Sequence, residues 1–421
     1  MKPALISIVL AATLSASAEA KSPREDALWL EDIDSYVTGL ESNHIDLYHQ
    51  VSRDEFARQL DLLREDLPEL TDAEIVAALM KITHSVGDGH TSMPLWNSEP
   101  KRFPIQIRWI GGEAVITGTT ADNAELLGAV VKRWNGLAID AVYERLAPYV
   151  PFVENKHSEA VRVGQYLTFA DLGHAIGIST GSDRVTIEVS QGADTREIQL
   201  EALDPQELRE QLSEKITYRH DLNAEPTMIK ASGIRFVLLE GGATGYIQFD
   251  SYPEPEEMRE FANSVFEALE AANAQNIVID FRESFGGNYF VGLMLAAELV
   301  ALDGIDWRHG TYVLISGITF SAAMSNSAQF ANILNAKLVG EPTGANPCGY
   351  QDMGQFELPN SGRLVTYSKR EYCFANSVDG ALQPDVPVPL VREDYVTGND
   401  PAMNWILGDI AARREKHDRV E

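Results

Sequence analysis

Positive charge is scarce in this 421-residue chain, where 34 lysines and arginines face 63 aspartates and glutamates for a formal net charge of −29. A field of that sign repels polyanions at long range, which excludes nucleic acid and anionic lipid surfaces as partners and leaves a solvated acidic surface. Cysteine is scarcer still, with only Cys348 and Cys373. No C-x-x-C pair or Cys/His cluster occurs, so no zinc site is legible, whereas an even pair in an oxidising compartment invites a disulfide. Long apolar runs are missing as well. No uninterrupted stretch of about eighteen apolar residues occurs, and stable membrane insertion is not expected.

What apolar run there is at the start, Ala4 to Leu14, follows Lys2 and precedes Ala18-Glu19-Ala20. Charged start, short apolar segment and A-x-A site together read as a signal peptide over residues 1–20, which predicts an exported protein, periplasmic or secreted. The remaining length, about 400 residues, exceeds one ordinary core and calls for two or three domains.

Residues 21–100 read as a helical module. Ser52-Arg53-Asp54-Glu55 and Thr71-Asp72-Ala73-Glu74 have the spacing of capping boxes, and Phe56, Leu60, Leu63 and Ile75, Leu79, Ile82, Val86 follow one buried helical face. Across residues 103–203 the pattern changes to short β-branched runs parted by Gly and Asn, which predicts a β-rich domain. The run from Gly128 to Gly136 followed by a helical Ala138 to Leu146 is PDZ-like, with an insertion at about 151–178 foreign to a minimal PDZ. Such a unit is expected to select substrate, so that its deletion harms selection more than serine reactivity. Residues 226–421 alternate strands and helices as a layered α/β core does. Gln355 to Leu358 and Arg363 to Tyr367 read as a hairpin, which would bring Cys348 and Cys373 together.

Three segments carry chemistry. Gly87-Asp88-Gly89-His90-Thr91 ends a helix and puts an imidazole in a glycine-flanked turn, although a histidine there can also simply cap the helix. Thr319-Phe320-Ser321-Ala322-Ala323 follows a buried strand and opens a helix. Serine is a preferred N-cap, but the same position sets a hydroxyl over free N–H groups at the positive end of a helix dipole. Asp280 to Asn288 ends another strand with Gly286-Gly287, where backbone amides can approach a reacting carbonyl, or the glycines can serve a tight turn.

In order along the chain, Gly-Asp-Gly-His-Thr, Gly-Tyr-Ile-Gln-Phe, Ile-Asp-Phe-Arg with Gly-Gly-Asn, Thr-Phe-Ser-Ala-Ala, Val-Gly-Glu-Pro-Thr-Gly, Leu-Pro-Asn-Ser-Gly and Pro-Asp-Val-Pro-Val resemble the tail-specific (C-terminal processing) protease family over nearly the whole length. The resemblance implies a crotonase-like α/β core and peptide or unfolded-protein substrates. One branch of that family uses a Ser-Lys dyad, but the matching segment here, Gly340 to Gly344, holds Pro342 at the lysine position. The branch resembling the tricorn protease core and the interphotoreceptor retinoid-binding protein repeats offers a histidine at the position of His90 instead.

The reading that follows is a serine-type peptidase needing no cofactor and no metal. Ser321 attacks, His90 moves the proton, Asp379 orients the imidazole, with Glu371 and Asp88 as rivals, and the oxyanion hole comes from Ala322 with Gly286 or Gly287. Two departures from the family pattern stand out: Ser284-Phe285 where Asn-Gly is usual and Met324 where Glu is usual. Phe285 and Met324 would also suit the alternative, a non-catalytic binding protein for apolar ligands or peptides on the same fold.

Overall fold

Four short apolar runs, at Tyr246–Phe249, Ile277–Asp280, Tyr312–Ile315 and Lys337–Gly340, become neighbouring strands of one sheet in the computed structural model of the chain. The structure describes residues 23–220, 222, 228–239, 241–377 and 380–418. The signal peptide assigned to residues 1–20 and the side chain of Asp379 lie outside the described residues.

Helices α1 (Pro23–Asn43), α2 (Arg53–Asp66) and α3 (Asp72–His84) make the N-terminal module. Thr71 and Glu74 form the full capping box at α3. At α2 only half of it exists: Ser52 accepts the Glu55 N–H, while the Glu55 carboxylate turns to Arg58 and Gln59, which offer charged and amide donors one turn on.

The first sheet is antiparallel. It is built from β1 (Ile105–Ile110), β2 (Glu113–Thr119), β3 (Val130–Trp134) and β4 (Leu137–Ala138), then, after helices α4 (Ile139–Leu146), α5 (Lys156–Tyr166) and α6 (Ala170–Ala175), from β5 (Arg184–Gln191) and β6 (Asp194–Glu201). Past α7 (Pro205–Gln211), the short β7 (Glu214–Lys215) returns to β2. The second sheet runs in the order β16-β13-β12-β11-β10-β9-β8, from β8 (Met228–Ala231), β9 (Ile234–Leu238), β10 (Thr244–Phe249), β11 (Asn276–Asp280), β12 (Thr311–Ile315), β13 (Lys337–Gly340) and, past a hairpin, β16 (Val386–Pro387). Its strands β10 to β13 are parallel, joined through α8 (Pro255–Ala271), α9 (Tyr289–Leu299) and α10 (Ala322–Ile333). The hairpin is β14 (Cys348–Glu357) and β15 (Leu364–Cys373), and the chain closes with α11 (Arg392–Thr397) and α12 (Pro401–Asp418).

Side-chain alternation explains the layering of the second sheet. Ile247, Phe249, Ile277, Ile279, Val313 and Ile315 face α8, α9 and α10, whereas Tyr246, Val278, Tyr312, Leu314 and Val339 meet Ala402, Met403, Ile406 and Ile410 of α12. A third apolar cluster unites α1 to α3 with the first sheet, and Leu358 and Val365 of the hairpin belong to it. The hairpin is closed by the Cys348–Cys373 disulfide, whose cysteines face each other across the two strands. No helix among the described residues is long and apolar enough to cross a membrane.

Candidate active site

Parallel strands all deliver their C-terminal ends to one edge, and the loops leaving β11 and β12 there carry the two glycines and the serine. The loop after β12 is stitched to the loop after β11: Thr319 donates its hydroxyl to Phe281 O, Ser316 donates to Arg282 O, and Phe320 N–H donates to Ser284 O. Ser321 comes next, at φ 49° and ψ −125°, a backbone conformation that costs a non-glycine residue on the order of 1–3 kcal/mol. Its hydroxyl makes no capping bond to α10, so the N-cap reading fails for the side chain although Ser321 does occupy the N-cap position. Gly286, at φ +97°, lies against this turn so closely that a Cβ would come within 2.7 Å of Ala322 N and 2.8 Å of Ser321 Cβ. Its N–H donates to Ser284 Oγ at 3.4 Å.

His90 reaches the same edge from the opposite side. Asp88 shapes its turn by accepting the N–H groups of His90 and Thr91, and it also accepts from the Ser368 hydroxyl and pairs with His44 Nε2 at 3.0 Å. Burial by itself raises the Asp88 carboxyl, yet the bonds from His44, Ser368 and Thr91 outweigh it and hold the group below the ordinary carboxylate range. Asp88 therefore fixes the backbone of His90 and leaves the ring to others. Across 231 residues of sequence, His90 Nε2 lies 2.9 Å from Ser321 Oγ.

The other ring nitrogen meets a carboxylate that the sequence reading missed. His90 Nδ1 lies 3.1 Å from Glu154 Oε1, with both side chains buried. Glu154 precedes the Asn155–Ser158 capping box of α5, inside the stretch set aside as an insertion. Its second oxygen accepts the Asn346 N–H at 2.7 Å, and Asn155 ties the same segment through Thr343 O and Asn346 Oδ1. Gly89 is what admits it: a Cβ there would meet Glu154 Cγ at 2.6 Å and the Phe320 ring at 2.7 Å. Of the sequence candidates, Glu371 is an exposed residue opposite Tyr350 on the hairpin, and Asp379 lies outside the described residues. With both ring nitrogens already engaged, serine, imidazole and carboxylate stand in hydrogen-bonding sequence, an arrangement that can pass a proton from hydroxyl to ring while the carboxylate stabilises the resulting cation.

No family model matches the sequence, and no curated protein matches it. Solved structures do. The fold is shared with mature CPAF. Its complex with lactacystin matches at 11% identity and a TM-score of 0.60, covering 92% of this chain and 98% of the other. Mature CPAF alone gives 12% identity and 0.59 over 91% and 95%. The photosystem II D1 C-terminal processing protease, at 17% identity, covers 90% of this chain and 99% of its own with a TM-score of 0.43. CPAF, the D1 C-terminal processing protease and the tricorn protease, all tail-specific, S41-type proteases, are among the solved structures it resembles.

Beside the CPAF-like strand edge, a cavity of about 770 Å³ opens between the first sheet and the second, with Phe152, Phe285 and Arg162 in its wall. Phe285 is 38% exposed there, but Met324 is fully buried in the apolar core beneath α10, so it cannot line a ligand pocket as the sequence allowed. Donor atoms of His44, His49 and Asp88 lie within 4.8 Å of one another, the grouping among the described residues that could hold a metal ion. Each oxygen of Asp88 already accepts hydrogen bonds, and His44 Nδ1 accepts the Asp46 N–H, so a cation would have to displace the His44–Asp88 bond. A signal for Glu154 was present in the sequence, a carboxylate just before an Asn-x-x-Ser cap, but nothing local distinguishes it from an ordinary acidic residue before a helix.

Proposed function

We propose that the protein is an exported serine peptidase that cleaves peptide bonds by acyl transfer. Ser321 Oγ attacks the carbonyl carbon and His90 Nε2 takes its proton, then returns it to the leaving amine; water hydrolyses the acyl-serine by the same route. Glu154 takes the orienting role for which the sequence offered Asp379. The oxyanion is held by the Ala322 amide at the start of α10 together with that of Gly286 or Gly287, Gly286 lying directly against Ala322 N. The observation that carries this reading is the continuous Ser321–His90–Glu154 contact, made by residues from three distant segments.

In the same reading the parallel sheet with its helices is a crotonase-like core over 226–421, and residues 103–203 form a PDZ-like unit beside it. A peptide or an unfolded chain end is the substrate, and the Cys348–Cys373 disulfide supports work in an oxidising compartment. A fluorophosphonate probe tests the mechanism: it should label the mature protein at Ser321 and fail on Ser321→Ala. Equal labelling of both, or none of either in a folded sample, would favour the non-catalytic binder.

A further inference from the structure

Arg162 lies two turns into α5, on the helix that begins just after Glu154, and it faces the cavity between the sheets. Its guanidinium stands over three aromatic rings, 4.3 Å from the centroid of Phe285, 5.2 Å from Phe152 and 5.6 Å from Phe320. Rings attract a cation but accept little from its N–H groups. The hydrogen bond it makes goes from Nη1 to Gln165 Oε1, and its Nε is buried with no partner. No carboxylate among the described residues pairs with it. The contrast within the same cavity wall is sharp, because Arg108 pairs with Glu283 at 2.8 Å and Arg219 with Asp250 at 2.7 Å. Burial pushes the Arg162 guanidinium down to about 10, the mark of a charge taken out of water without compensation.

The position is as telling as the missing partner. The Phe320 ring that touches Arg162 also stacks on His90, with centroids 5.5 Å apart, and Phe320 is bonded to Ser321. Phe285 likewise leads into Gly286-Gly287. A group held by Arg162 therefore belongs to a residue immediately flanking the bond that Ser321 attacks.

From this we infer that Arg162 is a subsite for a substrate carboxylate carried by a residue next to the scissile bond, either an acidic side chain or a chain-terminal carboxylate. The inference rests on the peptidase reading above and adds its specificity. A carboxylate entering the cavity meets unfilled guanidinium donors in a partly desolvated cage, where a charge-assisted bidentate bond is stronger than in water. Arg102, Lys156 and Lys215 line the same cavity, so a substrate carboxylate there meets cationic groups although the chain as a whole carries −29.

The test uses peptides in which one Glu is walked through a Gln background, with amidated or free C-termini. Binding is read as fluorescence anisotropy on the full-length Ser321→Ala protein, and cleavage by mass spectrometry on the wild type. A preference of about tenfold or more for Glu over Gln beside the cut bond, reduced by raised salt, is expected. If it appears with amidated peptides the source is a side chain; if it needs the free terminus, the source is the chain end. Arg162→Gln should abolish the preference and Arg162→Lys should keep part of it. Equal binding of all peptides by Ser321→Ala, or an undiminished preference in folded Arg162→Gln, would overturn the subsite. Should Arg162→Gln unfold, the wild-type comparison of Glu with Gln still decides. Loss of fluorophosphonate labelling at Ser321 alongside a retained Glu preference in binding would instead sink the peptidase reading and leave the carboxylate site standing.

Discussion

Ser321 holds a left-handed backbone that glycine tolerates and serine does not, so its side chain is kept there at the expense of stability. Ser321→Gly should therefore unfold later than Ser321→Ala by about 1 kcal/mol, measured by denaturant titration of both, although each lacks the proposed nucleophile. If serine, imidazole and carboxylate act as one unit, Ser321→Ala, His90→Ala and the double variant should lose hydrolysis to nearly the same floor; additive losses would argue against shared proton transfer. On the proposed mechanism Glu154→Gln keeps the shape but removes the charge assigned to stabilising the imidazolium, and a loss of about 100-fold or more in kcat is expected. Asp379→Asn is expected to stay within a few-fold of wild type in the same assay. The reverse ranking of these two would return the third role to Asp379. Of these residues the sequence made Ser321 and His90 legible because short turn motifs surround them. Glu154 has no such motif, since its role depends on a glycine and a phenylalanine from elsewhere making room.

At the end of β11 the segment Asp280-Phe281-Arg282 does work that its position next to the glycines conceals. Arg282 is buried and holds Asp280 through Nε and Nη2 while both terminal nitrogens reach Asp400 just before α12, each at 2.7 Å. Tyr246 of the neighbouring strand donates to Asp280 as well. Burial raises the Asp280 carboxyl, but the charges of Arg282 and Arg219 outweigh that and bring it to about 2 from an ordinary 3.8. A folded-state value below the unfolded one means stability that is complete above about pH 4 and lost as pH falls through about 2, and Asp88 shifts in the same direction. Arg282→Met leaves the buried Asp400 without its cation and Asp280 with only Arg219, 3.9 Å away. It should cost about 3–5 kcal/mol and move the acid-unfolding midpoint upward, followed by circular dichroism against pH. An unchanged midpoint would mean the network is not what fixes the strand end.

The hairpin is the other element with a measurable prediction. Closing a loop of 25 residues by the Cys348–Cys373 bond contributes about 3 kcal/mol by restricting the unfolded chain, so the double Cys→Ser protein should lose that amount in a urea titration. The sequence foresaw a shorter hairpin, because Tyr350, Gln351 and Asp352 carry no apolar alternation; the structure extends both strands to the cysteines, where Tyr350 packs on His49 and Tyr372 on Phe374.

Over the whole molecule, apolar packing crosses the boundaries that composition draws. Leu358 and Val365 come from the C-terminal half yet are buried with α1 to α3 and the first sheet. Thr366 pairs with Ser92, and Ser368 accepts the Ile45 N–H, so the hairpin clamps the histidine turn from outside. Leu358→Ala should accordingly speed amide hydrogen exchange in α1 to α3 and the hairpin together more than in β10 to β13; confinement of the effect to the hairpin would show that the shared cluster is not cooperative. Excision of 103–203 is expected to remove serine reactivity along with selection, since Glu154 leaves with it, and labelling by the fluorophosphonate probe would report that directly.

What the sequence determined by itself follows from local physics. Short continuous apolar runs set the central strands of the second sheet, helical stripes set α2 and α3, and turn residues set the glycine-flanked histidine and the serine at a helix start. None of this needs a partner distant in the chain. Tertiary structure alone decided which carboxylate meets the imidazole, that Met324 is core and Phe285 is cavity wall, and that Arg162 has no counter-ion among the described residues. Each of those is a statement about what is within a few ångströms in space, and His90 and Glu154 are 64 positions apart, a distance over which neither periodicity nor spacing carries information.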